Sequence, residues 1–236
     1  MISVQQLYKK FGKNEVLSGV DLEISEGEVF AILGPNGSGK TTLIKAILGM
    51  VLPNKGTILV KENSIKKAWN YRREIDYLPQ IAHFPGNLTV KELIKMIKDI
   101  RGGTASRELE LITMFQLEPF LSKKLSNLSG GTTQKVNIVL TFMFDSPLLI
   151  LDEPTTGLDP VSLIQLKELI ASEKEKKKTI LITSHSMSFV EAVTRDIVFL
   201  LEGKIYYKGS ISALKQKTEQ QDFEHAIASL LQHSYD

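Results

Sequence analysis

Short and almost continuous apolar runs recur along the chain and dominate its hydrophobic pattern. Each run holds four or five residues, most of which favour strands, and such runs are typical of parallel strands that are covered on both faces. We therefore expect these segments to form one central sheet. They are residues 29–33 (VFAIL), 148–151 (LLIL), 180–183 (ILIT) and 197–201 (IVFLL).

Helical spacing between these runs predicts the rest of the core. The first run is followed by a glycine-rich stretch and then by apolar residues at Leu43, Ile44, Ile47 and Leu48, which lie on one helical face. A second helix is predicted over residues 161–174. This alternation favours a layered α/β fold with right-handed crossovers.

Three other regions depart from this alternation. Residues 2–24 alternate and turn repeatedly, which predicts an antiparallel β layer. Residues 90–101, 108–115 and 132–144 have helical spacing with no strong strand between them, so we expect an inserted helical region. The charge run at residues 173–178 is interpreted as a solvated helix end, with lysines near the negative end of the helix dipole.

Composition narrows the class of protein. The 236 residues are 42% hydrophobic, which suits one large domain or one domain with an insertion. The net charge of +2 and the scattered lysines do not demand a nucleic acid partner. Cysteine is absent, which excludes disulfides and thiolate metal sites and fits the cytosol. No run is long enough to cross a membrane, and residues 1–10 lack the apolar stretch of a secretory signal, so work at a membrane would need separate subunits.

A glycine-rich motif, here called the P-loop, follows the first apolar run where a helix is expected to begin. Its glycines let backbone N–H groups point inwards, and the helix N-terminus adds positive charge, so the motif can hold a triphosphate. Lys40 is expected to reach the β and γ phosphates, Thr41 to bind Mg²⁺ and Thr42 to support the loop. A structural glycine turn is the weaker alternative. The motif is Gly34-Pro35-Asn36-Gly37-Ser38-Gly39-Lys40-Thr41-Thr42.

Polar side chains follow two further apolar runs. Asp152 and Glu153 come after residues 148–151, at the sheet edge where open α/β folds bind ligands. Asp152 is expected to hold Mg²⁺, directly or through water, and Glu153 to polarise the attacking water. Taken alone, the pair could simply cap the following turn. His185 ends another run and could reach the γ-phosphate or the water, although alone it would be an ordinary edge histidine.

A signature segment, residues 128–131 (Leu128-Ser129-Gly130-Gly131), precedes an amphipathic helix and lies shortly upstream of LLILDEP at residues 148–154. With the P-loop, this combination resembles the ABC ATPase family over residues 2–213. The resemblance implies a P-loop NTPase (RecA-like) α/β core with an antiparallel β subdomain and an inserted helical subdomain. It places the core and β subdomain at residues 1–80 and 146–215 and the helical subdomain at 81–145. Residues 216–236 are left as a C-terminal extension, expected to be one helix beginning near Glu219.

The resemblance also implies a site shared by two chains. In the family, the signature segment of one subunit contacts the γ-phosphate on the P-loop of the other. Here Ser129 can donate a hydroxyl, and Gly130 and Gly131 allow close backbone approach. Asp159, within GLDP at residues 157–160, resembles the cross-dimer contact loop.

Other roles come from the resemblance alone. Phe11 is similar to the aromatic that stacks on adenine, although Tyr8 could stack instead and either ring could simply pack. Gln80, in YLPQ, resembles the glutamine that senses Mg²⁺ and water, with an inert loop residue as the alternative. His185 matches the family's switch histidine.

Two positions differ from the usual family pattern. Thr132 stands where glutamine is usual, and Lys135 stands where arginine is usual. Lysine cannot reproduce the planar hydrogen bonding of arginine. We therefore expect the helix after the signature segment to be held differently from that of other family members, but we do not expect either change to abolish activity.

The resemblance implies a magnesium-dependent ATPase that acts as a homodimer. The resemblance further implies that this dimer drives separate transmembrane permease subunits from the cytoplasmic face of the membrane. In the family these subunits dock near the positions of Phe84 and Pro85, although the two residues could simply pack within the loop. GPNGSGKTTL, GLDP and EGKIYYKG (residues 202–209) look like ATPases of small exporter-type systems, and among them the Nos system that matures copper-containing nitrous oxide reductase. The chain shows no copper ligands, so it is not expected to bind such a cargo itself. A ribosome- or DNA-directed ABC ATPase is disfavoured because tandem cassettes and coiled-coil insertions are missing, while a regulatory cassette stays open.

Overall fold

The computed structural model describes residues 1–66, 69–102 and 105–232. Within these ranges no helix is both long and apolar enough to cross a bilayer. The strands are β1 Ile2–Phe11, β2 Asn14–Ile24, β3 Val29–Leu33, β4 Lys55–Val60, β5 Asn63–Ser64, β6 Ile75–Leu78, β7 Leu148–Asp152, β8 Thr179–Thr183, β9 Asp196–Leu201 and β10 Lys204–Ser210. The α-helices are α1 Lys40–Ile47, α2 Val90–Arg101, α3 Glu108–Met114, α4 Gly130–Phe142, α5 Pro160–Glu175, α6 Met187–Val193, α7 Ile211–Lys217 and α8 Phe223–Gln232.

The core sheet has the strand order β10-β9-β3-β8-β7-β6. Its strands run parallel except β10, which is antiparallel to β9. Every residue of β3, β7 and β8 is buried, as their continuous apolar pattern predicted. Alternate residues of β3 enter different hydrophobic clusters, with Ala31 and Leu33 on one face and Phe30 and Ile32 on the other. The sheet is therefore covered on both sides.

A smaller antiparallel sheet, ordered β2-β1-β4-β5, covers one of those faces together with α1. Strands β1 and β2 match the antiparallel layer expected from residues 2–24. Leu17, Val20 and Leu22 of β2 share a buried cluster with Phe30 and Ile32 of the core sheet. The β layer thus packs directly beside the strand that leads into the P-loop.

Helices α2, α3 and α4 cover the other face of the core sheet. In the chain they lie between β6 and β7. Helix α4 begins at Gly130 rather than at Thr132, because the Ser129 hydroxyl caps it by accepting the Thr132 N–H at 3.2 Å. In the predicted extension, residues 216–236, the structure describes one helix, α8, which begins at Phe223, slightly later than the expected start near Glu219. Helix α7 belongs mostly to the preceding part of the chain and ends at Lys217, and residues 233–236 lie outside the described part of the chain.

The interpretation of residues 173–178 as a solvated helix end holds for residues 174–177, which are exposed, but it was wrong for the first and last residues of the run. Glu173 is fully buried and Lys178 is 6% exposed. Burial raises the pKa of the Glu173 carboxyl, but ion pairs with Lys178, Lys176 and Arg107 outweigh it, so that the pKa lies below its usual value. Arg107 precedes α3, whereas Glu173 belongs to α5. The Arg107–Glu173 ion pair therefore fastens the helical region to the core.

Candidate nucleotide site

Four loops meet at one edge of the core sheet because they follow neighbouring parallel strands. The P-loop follows β3, His185 follows β8, Glu153 follows β7 and Gln80 follows β6, and these strands are adjacent in the sheet. In the register, Asp152 stands beside Thr183, and β6 pairs with β7 up to its last residue. The carboxyl ends of the strands are thus level, which brings the loops side by side.

A cleft with a volume of about 490 Å³ opens at this edge. Its walls come from the P-loop, from the start of β2 and from the loops after β6 and β7. Asn14 and Val16 of β2 were not predicted, because residues of an alternating strand carry no ligand-binding signal. The lining residues are Asn14, Val16, Asn36, Gly37, Ser38, Gly39, Lys40, Thr41, Thr42, Gln80 and Glu153.

Gly34 and Gly39 fix the shape of the P-loop. Both have positive φ, 152° and 105°, which other residues rarely adopt. A Cβ at Gly34 would lie 2.1 Å from the carbonyl oxygen of Leu200, and one at Gly39 would lie 2.8 Å from that of Val16. Because both obstacles are backbone atoms, these positions accept only glycine without a shift of the loop.

Lys40 lies on the floor of the cleft and is 8% exposed. Its Nζ donates to the carbonyl oxygens of Gly34 at 2.7 Å and of Pro35 at 3.1 Å. Burial lowers the pKa of this amine, while the nearby carboxylates of Glu153 and Asp152 oppose the shift. An ammonium that carbonyl oxygens hold at the lining of the cleft suits a phosphate.

Asp152 ends β7 and is 1% exposed. One of its carboxylate oxygens accepts a hydrogen bond from the Thr183 hydroxyl, whereas the other, Oδ2, is buried with no hydrogen-bond partner among the described residues. The Ser38 hydroxyl of the P-loop is also buried and unpaired within the same ranges. Unpaired buried oxygens are costly unless a ligand satisfies them. A carboxylate beside a phosphate cradle suits a hard divalent cation such as Mg²⁺.

Glu153 has a left-handed backbone conformation, with φ 50°, that is strained for a non-glycine residue. Its N–H donates to the Thr183 carbonyl oxygen at 3.0 Å, which holds it in place. Its Oε2 lies 2.8 Å from His185 Nδ1 and accepts the His185 N–H at 3.3 Å. The structure thus brings together the two residues predicted from separate strand ends.

Phe11 lies at the turn between β1 and β2 and is 50% exposed. Lys9 Nζ stands 4.8 Å from the centre of its ring. Phe11 pairs in the β ladder with Asn14, which lines the cleft, but its own ring is not part of the lining. The alternative, Tyr8, packs across Gly19, because a Cβ there would lie 2.9 Å from the tyrosine oxygen. Of the two rings, Phe11 is therefore the more exposed.

The signature segment and Asp159 form a second cluster, separate from the residues that line the cleft. A Cβ at Gly131 would lie 2.6 Å from the carbonyl oxygen of Gly157, so the two loops touch. Asp159 caps α5 and pairs with Lys135 at 2.8 Å, which holds the pKa of this carboxyl well below its usual range. The two predicted half-sites of one chain are therefore separate clusters of residues.

The fold and the cleft define a P-loop nucleotide-binding protein. The model of the family described as "ABC transporter" matches residues 17–156. The chain belongs to that family, which confirms the resemblance, and it is an ATP-binding and ATP-hydrolysing subunit of an ABC transporter.

Relatives and solved structures agree with this assignment. The chain is 35% identical to the lantibiotic transport ATP-binding protein SrtF of Streptococcus pyogenes, over 87% of this chain and 89% of that protein. It is 32% identical to the Nod factor export ATP-binding protein I of Paraburkholderia xenovorans, over 90% of this chain and 72% of that protein. Among solved structures, an ATP-binding subunit of an ABC transporter aligns with a TM-score of 0.90 and 29% identity, covering 98% of this chain and 99% of its own. A dimeric bacterial ABC transporter cassette aligns with a TM-score of 0.78 and 25% identity, covering 89% and 98%.

Proposed function

We propose that two copies of this chain form a homodimer that binds two ATP molecules, each between the cleft of one copy and the signature segment of the other. Closure of the dimer on ATP and its reopening after hydrolysis drive separate transmembrane permease subunits. The observation that carries the proposal is the separation of the two half-sites. Ser129 and Gly130 are exposed at the N-terminus of α4, outside the cleft of their own chain, as a contact with another copy requires.

Within each site the P-loop amides and Lys40 bind the β and γ phosphates. Mg²⁺, when bound, supplies charge neutralisation on the phosphate oxygens, and Thr41, Asp152 and Gln80 are the residues that would hold it. The unpaired Asp152 Oδ2 and the Gln80 side chain in the lining support this assignment.

Glu153 orients the attacking water and accepts its proton, and His185 positions Glu153 and the γ-phosphate. The 2.8 Å contact between their side chains supports this pairing. Phe11 stacks on adenine, and Asp159 contacts the second copy. Catalysis then rests on positioning and charge stabilisation, as in other phosphoryl transfers.

The partners are permease subunits of exporter type, which would hold this chain at the inner face of the cell membrane. The names of the relatives, lantibiotic transport and Nod factor export, support an exported cargo. Docking uses the helical subdomain, proposed at residues 81–145. Phe84 packs partly into the core there, whereas Ile81 is 66% exposed and is the more available contact. The Nos-type role stays a prediction, and co-purification with cargo-stimulated hydrolysis would separate a transporter from a regulatory cassette.

Mixing two inactive variants tests the shared site. A Lys40→Ala chain retains its signature segment, and a Ser129→Ala chain retains its P-loop, so a mixed dimer holds one intact site. Random pairing makes half of all dimers mixed, and each mixed dimer has one working site of two. If one site suffices for hydrolysis, the mixture should therefore show about a quarter of wild-type activity.

The control pairs Lys40→Ala with Glu153→Gln. Both changes damage the cleft half-site, so no mixed dimer is complete and no activity should return. Equal recovery in the two mixtures would reject the shared site.

A further inference from the structure

A stripe of buried polar side chains runs along the inner face of α4. Gln134, Asn137 and Thr141 are 6%, 3% and 4% exposed, and their spacing puts them on one helical face. Buried polar groups cost free energy unless they are paired. Their partners therefore indicate why this face is polar.

The partners of two of them are backbone carbonyl groups beside proposed catalytic residues. Asn137 Nδ2 donates to the carbonyl oxygen of Pro79, the residue before Gln80, at 3.1 Å. Gln134 Nε2 donates to the carbonyl oxygen of Pro154, the residue after Glu153, at 3.0 Å. The Pro79 carbonyl group shares a peptide plane with the Gln80 N–H, so holding it restricts Gln80. The fixed φ of Pro154 in the same way links its carbonyl group to Glu153, the residue before it.

The two side chains also contact each other. Asn137 Nδ2 lies 3.5 Å from Gln134 Oε1, so the Asn137 amide faces both the Pro79 carbonyl and the Gln134 side chain. The polar contacts thus run without a gap from the loop that carries Gln80 to the loop that carries Glu153. The same helix begins at Gly130, directly after Ser129.

We propose that Asn137 is a positioning residue, which holds Gln80 in the cleft and ties its loop to α4. The inference rests on the role proposed for Gln80.

Thr141 supplies a matched control from the same stripe. Its hydroxyl donates to the Asn137 carbonyl oxygen within α4 at 2.9 Å and is 3.5 Å from the carbonyl oxygen of Tyr77, which lies inside β6. Thr141→Val removes a buried polar group of α4 but leaves both loop contacts in place. A general loss of helix packing would affect it as much as Asn137→Ala.

The first experiment is a double-mutant cycle in ATP hydrolysis by the full chain. Asn137→Ala should lower kcat about three- to tenfold, the range expected for one lost hydrogen bond, with KM for ATP within about twofold because the P-loop is untouched. The Mg²⁺ concentration for half-maximal rate should rise. Adding Asn137→Ala to Gln80→Ala should cause no further loss. Effects that multiply, or a Thr141→Val variant as slow as Asn137→Ala, would overturn the proposal.

Hydrogen exchange separates this inference from the role of Gln80. Amides of residues 80–82 should exchange faster in Asn137→Ala, while those of residues 34–42 stay unchanged. A Gln80→Ala variant with wild-type hydrolysis would reject the role proposed for Gln80. Unchanged exchange at residues 80–82 would reject the positioning role of Asn137, whatever Gln80→Ala does.

Discussion

Replacing Gly131 with alanine tests how closely the signature segment packs against the turn at Gly157. The new Cβ would stand 2.6 Å from the Gly157 carbonyl oxygen. Ordinary C···O contacts begin at about 3.3 Å, so the two loops must separate by roughly 0.7 Å (3.3 − 2.6). The oxygen belongs to the backbone of a turn that leads into α5, so it cannot rotate away. Overpacking of this kind costs about 1–3 kcal/mol, against which the better helix propensity of alanine returns at most about 1 kcal/mol.

The assay is unfolding in urea, with Gly130→Ala as the control. Apart from its chain neighbours and its own helix backbone, no atom of the described residues lies within 4 Å of a Cβ built at Gly130, so that variant should be as stable as the wild type or slightly more stable. Gly131→Ala should lose about 1–2 kcal/mol, which for a chain of this size lowers Tm by about 2–8 °C. ATP affinity of the isolated chain should not change, because the P-loop is in the other half-site. Equal stability of the two variants would refute the packing argument.

Three further predictions concern charge. Lys40→Ala should weaken ATP binding about ten- to hundredfold in calorimetry, because it removes the ammonium from the cleft, and unchanged affinity would reject its phosphate role. Glu153→Gln should bind ATP and stay dimeric in size-exclusion chromatography while hydrolysis falls about 10²- to 10⁴-fold, and a wild-type rate would exclude it as the base. Glu173 has a pKa below its usual 4.5, so the stability that its charge contributes is full above that pH and is lost as pH falls. The Glu173→Gln variant should be less stable than the wild type at neutral pH. The Tm of the wild type should then fall more steeply below pH 4.5 than that of the variant. Parallel curves of Tm against pH would contradict the ion pairing of Glu173.

The core strands could be predicted because burial on both faces leaves a continuous apolar pattern, as in β3 and β7. The edge strands β6 and β10 were missed because they lack this continuous apolar pattern. Strand β6 contains the buried Asp76, whose charge breaks the pattern and is paired with Arg101 from α2. Strand β10 alternates half-buried and exposed residues, as an edge strand does. A hydrophobic pattern therefore predicts a strand only where the strand's own residues show which of its faces are buried.

The same limit applies to the site. Lys40, Asp152 and Glu153 were found because a motif or a strand end marks each of them. Asn14 and Asn137 were not found, since only the packing of β2 and α4 against the loops gives these amides a role. The burial of Glu173 was missed because its partner Arg107 is distant in the chain.

The P-loop rests on residues that are made much later in the chain. Gly34 packs against the Leu200 carbonyl oxygen, and the Gly203 N–H donates to the Ser38 carbonyl oxygen at 3.1 Å. A ribosome that has finished the nucleotide motif has therefore not yet made the hairpin, β9 and β10, that shapes it. Nascent chains should acquire ATP affinity only after this hairpin emerges, so that nucleotide capture reports the folding of β9 and β10 against the P-loop.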